Sequence, residues 1–177
     1  MAATSKPAVT LEYPSGKAII AALRRAAIEY VVAVPDIVTS DGLLWPISRD
    51  PDLKLVRICK EDEGVSICAA MSYNGTRALL LMQQTGLMDS LNAIRAIGMD
   101  YQLPVCMMVG LQGKEAELEP AQSASYGVRI VEPVLDAMQI PRRLIETTAD
   151  VSHIASDIEQ AYRSSTPLCL LLGRSPG

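Results

Sequence analysis

The sequence predicts an α/β protein built on a doubly wound, mostly parallel β-sheet with helices on both faces. Short aliphatic runs alternate with helical patterns along the whole chain, which is the rhythm of a parallel sheet. Those runs are apolar throughout and do not alternate, so both faces of each strand face a core. The composition agrees: 49% of the 177 residues are hydrophobic, 20% are charged, and Phe is absent. The core is therefore aliphatic.

A helix is expected from about Ser15 to Glu29, with Ile19, Leu23 and Ala27 on one face. It leads into a buried strand, Tyr30 to Val34, stopped by Pro35. A second strand covers Lys54 to Ile58, and a small-residue helix Gly64 to Tyr73. Arg77 to Met82 reads as a third strand, followed by a helix from about Met88 to Met99. Pro104 to Val109 is a fourth strand, ending at Gly110, and Gly127 to Val131 a short fifth. One or two helices fall between Pro141 and Ser164, and Leu168 to Leu172 closes the sheet. Residues 1–13 read as a loose lead-in and residues 14–177 as a single domain.

Composition narrows the function. A net charge of −4 without a Lys/Arg cluster argues against nucleic acid as a partner. One histidine, His153, excludes a His-rich metal site. Four cysteines without Cys-x-x-Cys spacing read as small buried hydrophobes in a reducing compartment. The first ten residues lack the apolar stretch of a signal peptide, and no run reaches membrane-spanning length. A soluble, cytoplasmic protein is expected.

In a doubly wound sheet, ligands gather beyond the carboxyl ends of the strands. The segments to inspect are Pro35-Asp36, Cys59 to Gly64, Gln83 to Leu87 and Gly110 to Gly113. In Lys60-Glu61-Asp62-Glu63-Gly64, three carboxylates fall where a strand hands over to a helix. They serve either the helix dipole and its free N–H groups, or, if one turns toward the crevice, proton exchange. Gln83, Gln84 and Thr85 supply two amides and a hydroxyl suited to a planar heterocycle, and Gly86 permits close backbone approach. An ordinary strand-to-helix loop explains them equally well. Gly110-Leu111-Gln112-Gly113 reads as a turn, and Asp36 as a turn or cap residue. The phosphate-binding glycine patterns are missing.

Taken together, these segments resemble a known family. Arg57-Ile-Cys-Lys-Glu61-Asp-Glu-Gly64-Val-Ser-Ile-Cys-Ala-Ala70, then Leu80-Leu-Met-Gln83-Gln-Thr-Gly86-Leu-Met-Asp-Ser-Leu-Asn92, then Tyr101-Gln-Leu-Pro104-Val, are similar to the pyrimidine-binding domain of thiamine diphosphate decarboxylases. Within that group the match is to the alpha subunits of sulfopyruvate decarboxylases and their phosphonopyruvate decarboxylase relatives. Glu119-Pro-Ala-Gln122, Tyr126-Gly127 and Leu135 to Pro141 follow in the same order, so the similarity runs from about Gly16 to Leu172.

The resemblance implies a Glu that hydrogen-bonds N1′ of the cofactor's aminopyrimidine and so promotes the tautomer that takes the reactive proton, while the cofactor carries the hard chemistry. Placing Ala70 at the family's Gly position makes this Glu61; a slip of two residues makes it Glu63. The resemblance further assigns Gln83, Gln84, Thr85 and Gly86 to the cofactor, with Gln84 replacing the usual Asn, and Asp36 and Gln112 to the substrate side. Leu111-Gln112-Gly113 stands where relatives tend to have Trp-Arg-Gly, which removes a bidentate anion clamp. Weaker discrimination in favour of a sulfonated or dianionic 2-oxo acid is then expected.

The family holds the diphosphate and Mg²⁺ through a Gly-Asp-Gly motif with later Asn residues. Here only Ser40-Asp41-Gly42 comes near, without the Asn partners. The metal is therefore expected on a beta-type partner subunit, and the activity in the complex. The implied function is decarboxylation of a 2-oxo acid. A carboligase subunit and a non-catalytic interaction subunit are the alternatives.

Overall fold

The computed structural model describes residues 13–177. The expected lead-in, apart from Tyr13, lies outside the described residues. Six strands form one parallel sheet: β1 (Tyr30–Ala33), β2 (Lys54–Arg57), β3 (Ala78–Gln83), β4 (Cys106–Gly110), β5 (Arg142–Ile145) and β6 (Leu168–Leu172). Their spatial order is β2-β1-β3-β4-β6-β5, and every pairing is parallel. From β1 the chain first steps outward to β2 and then returns to the other side of β1 for β3. The order reverses between β1 and β3, where a crevice opens at the carboxyl edge.

The helices follow from local chemistry. The first, α1 (Gly16–Arg25), starts where the Ser15 hydroxyl accepts the Ala18 N–H at 3.4 Å, and ends with Arg24 and Arg25 at the negative end of its dipole. A π-helical turn over Ser40–Leu44 runs into the short α2 (Trp45–Ile47). Between β2 and β3 lies α3 (Glu61–Tyr73), and after β3 come α4 (Gln84–Asp89), α5 (Leu91–Ala93) and a π-helical turn over Ile94–Met99. The chain then forms α6 (Tyr126–Arg129), α7 (Val131–Ala137) and α8 (Ile154–Ser164).

Alternate strand residues enter opposite cores. Val31, Leu79, Leu81, Met108 and Leu170 pack with Ile19 and Leu23 of α1 and Ile158 of α8. On the other face, Val32, Leu80, Met82, Met107 and Leu171 pack with Val65 of α3, Leu87 of α4 and Leu135 of α7. The doubly wound class expected from the uninterrupted apolar strands is what the chain adopts. Four of the six strands and the helical character of 15–29 and 64–73 lie within a few residues of expectation, as does the closing strand.

Two elements differ. Residues 127–131 are helical rather than a strand: Val128, Val131 and Leu135 are all buried, a spacing of three and four that suits one helix face and not a pleated strand. The fifth strand is Arg142–Ile145, inside the segment Pro141–Ser164 where one or two helices and no strand were expected. Its signal is hidden by two arginines, which the period of two sends to opposite faces. Arg142 pairs with Glu132 at 3.1 Å and with Asp136, both on α7, and Arg143 pairs with Asp157 on α8. These pairs tie the edge strand to one helix on each side. The helix expected from Met88 starts instead at Gln84, immediately after β3.

Cys68, Cys106 and Cys169 are buried and free, and Cys59 is exposed. Burial pushes the Cys106 thiol up to about 12, and those of Cys68 and Cys169 higher still. Only thiolates react, so one thiol per native chain should react with a disulfide reagent at neutral pH, and all four after denaturation. More than one fast-reacting thiol in the native protein would contradict this packing.

Candidate active site at the carboxyl edge of the sheet

The first turn of α3 places its three carboxylates in three different settings. Lys60 is extended and Glu61 is the first helical residue. Glu63, at the third helical position, reaches back to accept the backbone N–H of Cys59 at 3.3 Å. That bond closes the turn just ahead of the helix, one residue before the N-cap Lys60. Asp62 pairs with Lys60 at 3.2 Å, and Lys60 also reaches Asp89 of α4 at 3.0 Å. Glu61 does neither: among the described residues its carboxyl group has no hydrogen-bond partner, and it lies half-buried against the backbone of Gly86. A Cβ built at Gly86 would collide with that carboxyl group. This close approach needs a residue without a side chain.

Across the crevice, the end of β3 is tied to the end of β4. Gln84 is buried, and its amide closes on the backbone of Gln112: Nε2 donates to the carbonyl at 2.8 Å and Oε1 accepts the N–H at 2.8 Å. Gln83 points to the accessible side, where its Nε2 donates to Gln112 Oε1 at 2.6 Å and Thr85 Oγ1 at 3.2 Å. Gln83, Thr85 and Gln112 thus form one polar rim, while Gln84 is engaged in shaping it.

Asp36 sits at the end of β1. One oxygen accepts the N–H groups of Val38 and Thr39 at 2.7 and 2.9 Å, and the other accepts the Thr39 hydroxyl. It holds the loop after β1 in a tight turn, and that loop packs on the end of β4, where a Cβ at Gly110 would lie 2.7 Å from Val38 Cβ. The residues singled out from the sequence are therefore brought to one edge. Their settings differ: Glu61 and the Gln83–Thr85–Gln112 rim are presented to the crevice, whereas Gln84, Asp36 and Glu63 are bound to backbone.

The same edge carries groups that the sequence did not single out. Lys114 follows β4, Glu146 follows β5, and Gly173-Arg174 follows β6. Glu146 was invisible as a strand-end residue because its strand was taken for helix. Lys114 and Arg174 each follow a glycine just past an apolar strand, the signal that would have found them. Among the described residues, no group of three His, Cys, Asp or Glu side chains converges as a metal would require, and Asp41 lies in the π-helical turn before α2.

No protein-family model matches the chain. It is 28% identical to the sulfopyruvate decarboxylase subunit alpha of Methanothermobacter thermautotrophicus over 163 residues, 92% of this chain and 97% of the relative. It is also 28% identical to the subunit of the same name from Methanocaldococcus jannaschii, over 87% of this chain and 90% of the relative. The chain is a relative of the sulfopyruvate decarboxylase alpha subunits. A protein of Methanosarcina acetivorans named sulfopyruvate decarboxylase is 26% identical over 66% of this alpha-type chain, a match that covers 29% of the longer protein. No helix among the described residues is long and apolar enough to cross a membrane.

The side-chain contacts separate the two candidate glutamates by stability. Glu63→Ala should lower the unfolding free energy by about 0.5–1.5 kcal/mol, the net worth of its one hydrogen bond to the Cys59 N–H. Glu61→Ala should not, because its carboxyl group satisfies no helix donor. Denaturant titration of both variants checks this, and a larger loss for Glu61→Ala would reverse the assignment.

Proposed function

We propose that this chain is the alpha-type subunit of a thiamine diphosphate-dependent decarboxylase of a small 2-oxo acid, with sulfopyruvate the first candidate, and that it works only with a partner chain. The observation that carries this reading is the Glu61 carboxyl group, half-buried and without a partner, seated on Gly86 at the switch point of the sheet. A half-buried carboxyl group without a protein partner is placed to take a ligand's hydrogen-bond donor. The names of the relatives support the decarboxylase and its subunit character, and the longer Methanosarcina protein fits an alpha-type domain that operates beside a second one.

The residues present fit one half of the cofactor. Glu61 offers an oxygen to a ring N–H, the bare backbone of Gly86 leaves room for a flat ring, and the Gln83 amide and Thr85 hydroxyl offer further polar contacts along the rim. The described residues supply no matching set for the diphosphate and its Mg²⁺, which prefers carboxylate and carbonyl oxygens. We assign that half to a beta-type partner. When bound, the cofactor supplies the electron sink for carbon dioxide loss.

The chain's own contribution is then local. Glu61 holds a proton on the aminopyrimidine ring nitrogen, and Gly86 keeps that carboxyl group in place. Gln84 fixes the two strand ends without touching ligand, and Asp36 holds the loop after β1. Glu63 closes the turn ahead of α3. An interaction subunit without catalytic work would not require an unpaired carboxyl group on a bare glycine, so this reading is preferred to a non-catalytic one.

Glu61→Gln in the reconstituted complex should cut decarboxylation by about 10²–10⁴-fold with assembly intact, the usual loss of a general acid or base. Full turnover by Glu61→Gln together with loss in Glu63→Gln would move the role to Glu63. Gly86→Ala should show a comparable defect, because the added methyl group displaces the Glu61 carboxyl. The isolated chain should bind thiamine diphosphate with Mg²⁺ only weakly by calorimetry, since a few ring contacts at about 0.5–1.5 kcal/mol each leave little net affinity. Micromolar binding by the chain alone would place the metal site within it.

A further inference from the structure

Gln112 stands in the turn that follows β4 and is held there at three points. Its backbone N–H donates to Gln84 Oε1 and its carbonyl accepts Gln84 Nε2, both at 2.8 Å. Its side-chain Oε1 accepts Gln83 Nε2 at 2.6 Å. The chain then turns away at Gly113, whose φ of 84° favours glycine. What is left is the Gln112 side-chain nitrogen, which has no partner among the described residues. We propose that Gln112 Nε2 binds the carboxylate of the 2-oxo acid, the group that leaves as carbon dioxide; this rests on the decarboxylase reading of the crevice.

The network decides which end of the amide faces the ligand. Gln83 Nε2 places one N–H on Gln112 Oε1 and the other on Thr85 Oγ1, at 3.2 Å, so both of its donors are engaged. The Gln112 oxygen is thereby turned toward β3, and its two N–H donors face away from that bond. Gln112 is exposed, so a ligand reaches them. An amide already fixed at its oxygen and its backbone gives up little further freedom on binding, which is what makes a single donor group useful. Residues 83–86 carry this donor and Glu61 at their two ends. Gln83 meets Gln112, and Gly86 lies under the Glu61 carboxyl group.

An uncharged donor suits a charge that must depart. In decarboxylation the bond between the carboxylate and the carbonyl carbon breaks, the electron pair stays with that carbon, and Gln112 neither gains nor loses a proton. A cation paired with the carboxylate would stabilise the ground state more than the transition state and so slow the step. A neutral amide makes a weaker bond to the same group and holds it back less. The lysines closest in sequence to Glu61 and to Gln112 are engaged elsewhere. Lys60 pairs with Asp62 and Asp89 at 3.2 and 3.0 Å, and the enclosed Lys114 pairs with Glu146.

The test uses the reconstituted complex with pyruvate and sulfopyruvate, which share the carboxylate and differ in the tail. Gln112→Glu keeps the length and the acceptor for Gln83 but replaces the donor with an anionic oxygen. It should raise KM for both acids by the same factor, about ten- to a hundredfold, as loss of a hydrogen bond to a charged group would. The kcat should not fall, and affinity for thiamine diphosphate should hold. Gln112→Met, without either group, should raise KM in the same way but less, and it decides if Gln112→Glu does not assemble. A second readout is calorimetric binding of oxamate, an unreactive 2-oxo acid analogue with the carboxylate and no acidic tail, which should weaken by a similar factor. An unchanged KM, a loss confined to sulfopyruvate, or a fall in kcat with KM held would overturn the assignment. If the wild-type complex decarboxylates neither acid, the decarboxylase reading fails, and oxamate alone judges Gln112. Binding weakened in the variant then upholds the carboxylate donor, and binding that is unchanged, or absent from the wild type, overturns it.

Discussion

The architecture of the carboxyl edge depends on one buried amide. Gln84 is almost fully enclosed, so both ends of its side chain must find partners, and both find them on the backbone of Gln112. That double bond in register joins the end of β3 to the end of β4 beyond the last ladder pair, Gln83 with Gly110. With the two strand ends locked, α4 can begin only at Gln84, and Gly86 arrives under the Glu61 carboxyl group. The same lock holds Gln112 where its side chain meets Gln83. An asparagine here would be one methylene shorter and would have to draw the strand ends together to make both bonds.

The acidic turn at the start of α3 shows how three adjacent carboxylates acquire separate duties. Asp62 accepts the Glu63 N–H, one of the free donors of the first turn, at 2.9 Å, and Glu63 folds back to the Cys59 N–H just ahead of the helix. Asp62 joins Lys60 and, through it, Asp89, which ties α3 to α4. Only Glu61 is released from structural work, and it is released toward the crevice. The glycine beneath it removes the one side chain that would shield it. One carboxylate of the three is thus left without a protein partner because its neighbours have theirs.

On the far side, charge is handled in pairs. Arg142 and Arg143 with their carboxylates hold β5 against its helices, and the enclosed Lys114 with Glu146 ties the loop after β4 to the end of β5. The arginine pairs sit at the amino end of β5 and act on packing; hydrogen bonding to Asp136 and Asp157 holds both guanidinium groups firmly in their charged form. The lysine pair sits at the carboxyl end.

The sequence by itself determined the class of fold, most of the strands, and the edge on which to look. Uninterrupted aliphatic strands force helices onto both faces, and a parallel sheet then has one carboxyl edge where loops and helix starts converge. It also brought Glu61, Gln83 to Gly86, Asp36 and Gln112 to attention, because polar residues directly after apolar runs are locally visible. It could not place β5, since the energy that makes Arg142–Ile145 a strand comes from β6 and from carboxylates on two distant helices. It favoured Glu61 over Glu63 only through the register of a resemblance, and it could not tell that Gln84 faces inward while Gln83 faces the crevice. Those distinctions arise where side chains from different strands touch, over Gly86, at Gln112 and around Lys114, and contacts between residues tens of positions apart exist only once the chain has folded.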